Sequence, residues 1–233
     1  MAQHYGPNIV TDGLVLCLDA GYEGSYPGSG TTWSDLSGNN YDATLSAAAI
    51  GTDVPGTMEF NGSNEYATVS DNTALTALDN LTMEAWVKPV EDPTSTAYMD
   101  MIFKERAAAQ DSGYVMMTDF DRIRIEMRIG GTNIGAYGTD GTFLLRIPSY
   151  HCLTVFDNTA NLLSYYQDGE LHQATAASGD GEFGSGKDLN FGRASNGTRY
   201  SNVDISIVRL YNKAFTAAEV KQNFNAQKSR FGL

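Results

Sequence analysis

A chain of 233 residues is long enough to bury a substantial core and suits a single all-β unit. Its 15 Lys and Arg face 28 Asp and Glu, a formal net charge of -13, so nucleic acid and anionic membrane surfaces are not expected as partners. No run approaches the roughly 18 apolar residues of a membrane span, and MAQHYGPNIV lacks the basic and apolar regions of a signal peptide, so a soluble protein made in a cytoplasm is expected.

Short strand-like runs follow one another along the chain: GLVLCLD (13–19), YATV (66–69), LTMEAWV (81–87), MDMIF (99–103) and GYVMMT (113–118). RIRIEMRI follows at 122–129, with Ile123, Ile125, Met127 and Ile129 on one face and Arg122, Arg124, Glu126 and Arg128 on the other. After HCLTVF (151–156), the pair Asp168-Gly169 in NLLSYYQDGELHQA supplies the positive φ values of a type I′ hairpin turn. The last strand is VDISIVRL (203–210). One helix then closes the chain, with Thr216 and Glu219 at capping-box spacing and Val220 and Phe224 one turn apart. Many short strands, 24 glycines and little helix point to two antiparallel sheets packed as a sandwich or jelly roll.

Cys17 and Cys152 lie within apolar runs, where free thiols act as small hydrophobes; a disulfide between them is the less favoured reading. His4, His151 and His172, with no Cys-x-x-Cys pair, do not make a zinc site and are expected as strand or surface residues. GSGKD (184–188) is a glycine-rich turn, too short for a phosphate-binding loop.

In order, GLVLCLDAG, SYPGSGTTWSDLSGNN, MEFNGSNEYATV, LTMEAWVKP, LLSYYQDGELH, LNFGRASNG and DISIVRLYNKAFTAAEVKQNFNA resemble the laminin-G-like (concanavalin A-like) jelly-roll family. The resemblance implies an N-terminal arm over 1–12, a jelly-roll domain over 13–226 and a C-terminal tail over 227–233, whose Arg230 and Phe231 lie beyond the expected fold and are free to reach a neighbour. YGPNIVTDGLVLCLDAG and VKQNFNAQKSRFGL also resemble virion proteins of tailed bacteriophages, including cyanophages. That implies a non-enzymatic structural protein of the virion surface, in capsid decoration or in a tail or fibre, made in the host cytoplasm. Its partners would be other virion proteins, with host-surface glycan binding and a homo-oligomer left open. The alternative is a carbohydrate-binding module that recognises a cell-surface polysaccharide.

Glucanases of this fold need two carboxylates at fixed separation. LTMEAWV offers Glu84 alone and RIRIEMRI offers Glu126 alone between cations, so the hydrolase reading is the weakest and no catalytic residue is assigned. No cofactor is required. The stretch WSDLSGNN holds oxygen-bearing residue types of calcium loops, and Asp35 and Asn39 are the candidate calcium ligands. The preferred reading is a turn in which both side chains bond nearby backbone, with Trp33 as a core anchor. Candidate glycan contacts are Tyr22 and Tyr26 in one glycine-rich loop and Asn196, Arg199 and Tyr200 in another, since a tyrosine ring can stack on a pyranose while amide and charged groups meet its hydroxyls.

Overall fold

The alternation of RIRIEMRI survives residue by residue: its Ile and Met side chains are buried, and its charged ones are half-buried on the opposite face. The computed structural model describes residues 8–46, 56–76, 78–90, 98–105, 112–140, 150–183, 186–194, 197 and 199–233. In chain order the strands are β1 (Leu14–Asp19), β2 (Thr32–Trp33), β3 (Ala43–Leu45), β4 (Met58–Asn61), β5 (Ala67–Val69), β6 (Leu81–Pro89), β7 (Asp100–Glu105) and β8 (Ser112–Asp119). They continue as β9 (Arg122–Ile129), β10 (Thr132–Tyr137), β11 (Tyr150–Asp157), β12 (Leu162–Gln167), β13 (Glu170–Ala176), β14 (Leu189–Phe191) and β15 (Asn202–Tyr211). The hairpin between β12 and β13 turns at Asp168 (φ 51°) and Gly169 (φ 80°), the doubly positive pair that a type I′ turn demands.

All strand pairs are antiparallel, and they build two sheets. The first runs β1-β15-β6-β11-β12-β13, with β4 also paired to β15; the second runs β10-β9-β8-β7-β14-β5-β3-β2. Between them lies the main core, to which the first sheet gives Leu16, Leu18, Met83 and Cys152 and the second gives Trp33, Tyr114, Ile125 and Phe191. Trp33 is fully buried and meets Phe191 edge to face at 6.1 Å, which is the anchoring role its sequence context implied. Cys17 and Cys152 are both buried and are not joined by a disulfide.

The outer face of the first sheet is covered as well, which explains why β11 and β15 are buried along nearly their whole length instead of alternating. Its cover is helix α1 (Ala217–Gln227), where the Thr216 hydroxyl accepts from the Glu219 N–H and the Glu219 carboxylate accepts from the Thr216 N–H, completing the capping box. Val10, Leu153, Val155, Tyr211, Phe215 and Val220 form a second, smaller core beneath it.

The expectation that Arg230 and Phe231 reach outward is corrected. Residues 228–231 form a 3-10 turn that folds back on the sheet, and Phe231 stacks on Trp86 with ring centroids 4.1 Å apart and planes 13° apart. Arg230 donates to both oxygens of Asp19 at 2.8 and 2.9 Å and to the Gly56 carbonyl at 3.2 Å. It fits because Gly21 and Gly56 lack side chains: a Cβ on Gly21 would fall 2.0 Å from its Nη2. Burying Trp86 and pairing Asp19 is the gain that draws this segment inward.

Candidate functional site

The loop after β2 completes the edge of the first sheet. Strand β1 pairs with β15 on one side only, and an unpaired strand edge has backbone groups to satisfy. Asp35 Oδ1 accepts from the Cys17 N–H at 2.9 Å, the Leu36 N–H donates to the Cys17 carbonyl at 2.8 Å, and Asn39 Nδ2 donates to the Val15 carbonyl at 2.8 Å. The Asp35 carboxylate also accepts from the Ser37 N–H, the Ser37 hydroxyl and the Tyr41 N–H, at 2.9, 2.6 and 3.1 Å. The loop can fold so tightly because Gly38 and Asn40 take positive φ values of 90° and 60°. Four donors therefore converge on Asp35, the backbone-bonding role the turn reading gave it. Asp35→Ala is expected to lower stability by about 2 kcal/mol by stranding them. Calcium and chelator should leave the thermal transition of the unaltered chain in place; a calcium-dependent rise would instead give Asp35 and Asn39 a metal role.

Beneath α1 lies a buried ionic network. Glu84 faces outward from β6 and is fully buried, with Arg209 Nη1 at 2.9 Å, His151 Nε2 at 3.2 Å and Asn223 Nδ2 at 2.7 Å. Burial, the largest single influence, pushes the Glu84 carboxyl up, but the Arg209 charge, His151 and the Asn223 hydrogen bond together outweigh it and hold the carboxyl at about 2. Asn223 also donates to the Tyr211 hydroxyl at 2.9 Å and accepts from the Val10 N–H at 2.8 Å, tying sheet, helix and arm together. This arrangement removes Glu84 as a candidate acid or nucleophile. Glu126 pairs with Arg124 on the second sheet, so the two carboxylates that the hydrolase reading would need lie on different sheets.

Beside the network, the end of α1, the arm and the loop after β1 enclose a groove of about 510 Å³. Cys17 and Arg209 line it from β1 and β15. Tyr22, 58% exposed, and Leu36, 38% exposed, present apolar surface, while Asp19, Gln227, Asn8 and Thr11 add polar groups. Two polar atoms in these lining side chains, Arg209 Nε and Gln227 Oε1, are buried without a hydrogen-bond partner among the described residues. One donates and the other accepts.

The expected glycan residues divide. Tyr22 lines the groove. Tyr26 does not: it is 4% exposed and belongs to the main core, so the four-residue spacing that makes the two look equivalent puts one ring outside and the other between the sheets. Arg199 donates to both oxygens of buried Asp100 at 2.9 Å, which ties it to β7. Tyr200 is half-buried against Tyr66 at 6.1 Å. Asn196 lies outside the described residues. Arg209 and its pairing with Glu84 escaped the sequence reading, although a charged residue inside an otherwise apolar run such as SIVRLY signals a buried pair.

The concanavalin A-like lectin/glucanases superfamily model matches residues 61–221. No curated protein sequence matches the chain. Among solved structures, the receptor-binding domain of botulinum neurotoxin C/D mosaic serotype superimposes with a TM-score of 0.71 at 16% identity, over 94% of this chain and 52% of that one. A botulinum neurotoxin type C structure, described by the dependence of cell entry on two ganglioside molecules, gives 0.69 at 12% identity, over 93% and 52%. Trypanosoma rangeli sialidase in complex with sialic acid gives 0.66 at 20% identity, over 93% and 33%. The chain thus spans about half of the toxin chains and about a third of the sialidase, and identities this low establish the fold alone.

Proposed function

The chain belongs to the concanavalin A-like lectin/glucanases superfamily, and from that membership we propose that it is a non-catalytic carbohydrate-recognition domain whose sugar lies in the groove beside Tyr22. The observation that carries this reading is the pairing, in one groove, of an exposed aromatic ring with an unpaired buried donor and an unpaired buried acceptor. A pyranose offers an apolar face to the ring, and its hydroxyls both donate and accept. The ganglioside and sialic acid of the structural neighbours support saccharide as the ligand class. Burial of Glu84 in an ion pair, on a different sheet from Glu126, supports recognition without cleavage.

The test is a glycan array followed by titration of the hits. Tyr22→Ala should weaken binding about tenfold, a loss of roughly 1.4 kcal/mol, while the thermal transition stays in place because the ring is exposed. An array without a hit would count against the reading.

The display context is proposed as a virion surface, where many copies would multiply a weak single-site affinity. Its support is the resemblance of the two terminal stretches to tailed-phage virion proteins. Quantitative mass spectrometry of purified particles checks it: a fixed ratio to the major capsid protein is expected, and absence from particles would contradict it.

A further inference from the structure

We infer that the groove takes an uncharged saccharide and discriminates against acidic ones, because both of its charged lining residues are already neutralised inside the protein. This inference rests on the groove being a sugar site. Among the described residues lining it, only Asp19 and Arg209 carry charge. Asp19 gives both carboxylate oxygens to Arg230 Nη1, at 2.8 and 2.9 Å. Arg209 gives Nη1 to the Glu84 carboxylate at 2.9 Å, and both partners of that pair are buried. Burial also pushes the Cys17 thiol up, against the opposing influence of Arg209, so it stays protonated near neutral pH.

Among the described residues lining the groove, an anionic sugar would therefore find no cation that is not already paired. It would have to shed water from its carboxylate for no more than the Arg209 Nε–H, whose charge Glu84 already offsets, within the field of a chain whose formal net charge is -13. A hydroxyl meets no such obstacle. Arg209 Nε can donate to it and Gln227 Oε1 can accept from it, and each lacks a partner among the described residues. Tyr22 and Leu36 supply the apolar contact for a pyranose face. Asp19 and Arg209 thus act through geometry and hydrogen bonding, not through net charge.

The experiment is calorimetric titration of the full chain with neutral oligosaccharides of glucose, mannose and galactose, beside sialyllactose and oligogalacturonate, at low and physiological salt. Neutral ligands should bind with Kd of about 0.1–1 mM, as expected of a shallow single site, and with little dependence on salt. Tyr22→Ala and Gln227→Ala should each weaken that binding about five- to tenfold, with unchanged thermal transitions. Acidic sugars binding more tightly than neutral ones, with the same dependence on Tyr22, would overturn the charge argument and leave the groove as a sugar site. Binding indifferent to both substitutions would overturn the inference by placing the sugar elsewhere. No binding of any saccharide would remove the proposed function itself.

Discussion

Arg209→Met is expected to lower the stability of the fold by about 3–5 kcal/mol, the usual cost of leaving a buried charge without its partner. Glu84 is fully buried, and its other partners, His151 and Asn223, offer hydrogen bonds without the fixed charge of a guanidinium. Chemical denaturation at neutral pH reads the loss. The pH dependence follows with a definite sign. The folded-state Glu84 carboxyl is depressed from its ordinary 4.5 to about 2, so its stabilisation is fully present above 4.5 and is lost as pH falls through 2. In Arg209→Met the carboxyl loses its main stabilising charge and protonates at higher pH, so the gap between variant and parent should narrow on acidification. Glu84→Gln added to Arg209→Met should recover part of the loss, because the stranded charge is gone. Additive losses would show that the pair is not coupled.

Trp86→Ala is expected to have a comparable effect, about 3–5 kcal/mol, through the cavity it opens beneath the helix. The ring is fully buried on the outer face of the first sheet, stacked against Phe231 at 4.1 Å and Phe224 at 6.0 Å, with His151 at 5.0 Å. Its loss should loosen both α1 and the 228–231 turn. Protease nicking confined to the C-terminal segment, together with a lowered thermal midpoint, is the expected signature. An unchanged midpoint would mean that the turn does not depend on this stack.

Much of the architecture was legible because local chemistry and tertiary role agree. Strand β9 and the Asp168-Gly169 turn follow from period-two alternation and positive φ, and the start of α1 from the spacing of Thr216 and Glu219. Strands β2, β3, β4 and β14 are two to four residues long, too short to display a period, and take their identity from the neighbours they pair with. The candidate site was less legible. Tyr22 and Tyr26 share one loop and one composition, yet only burial separates them. The groove draws on Asn8, Cys17, Arg209 and Gln227, which no local pattern relates. Its neutrality depends on Arg230, which sits in a tail that read as free and in fact threads between Gly21 and Gly56.

The most direct test of the account is a backbone amide chemical-shift titration of the isotope-labelled chain with the neutral oligosaccharide that binds best. Dose-dependent shifts should cluster at Tyr22, Leu36, Cys17 and Gln227, while Arg193 and Tyr200, which form an isolated antiparallel bridge beyond the end of β14, stay unmoved. Shifts centred on Arg193 and Tyr200, with the groove silent, would contradict the account.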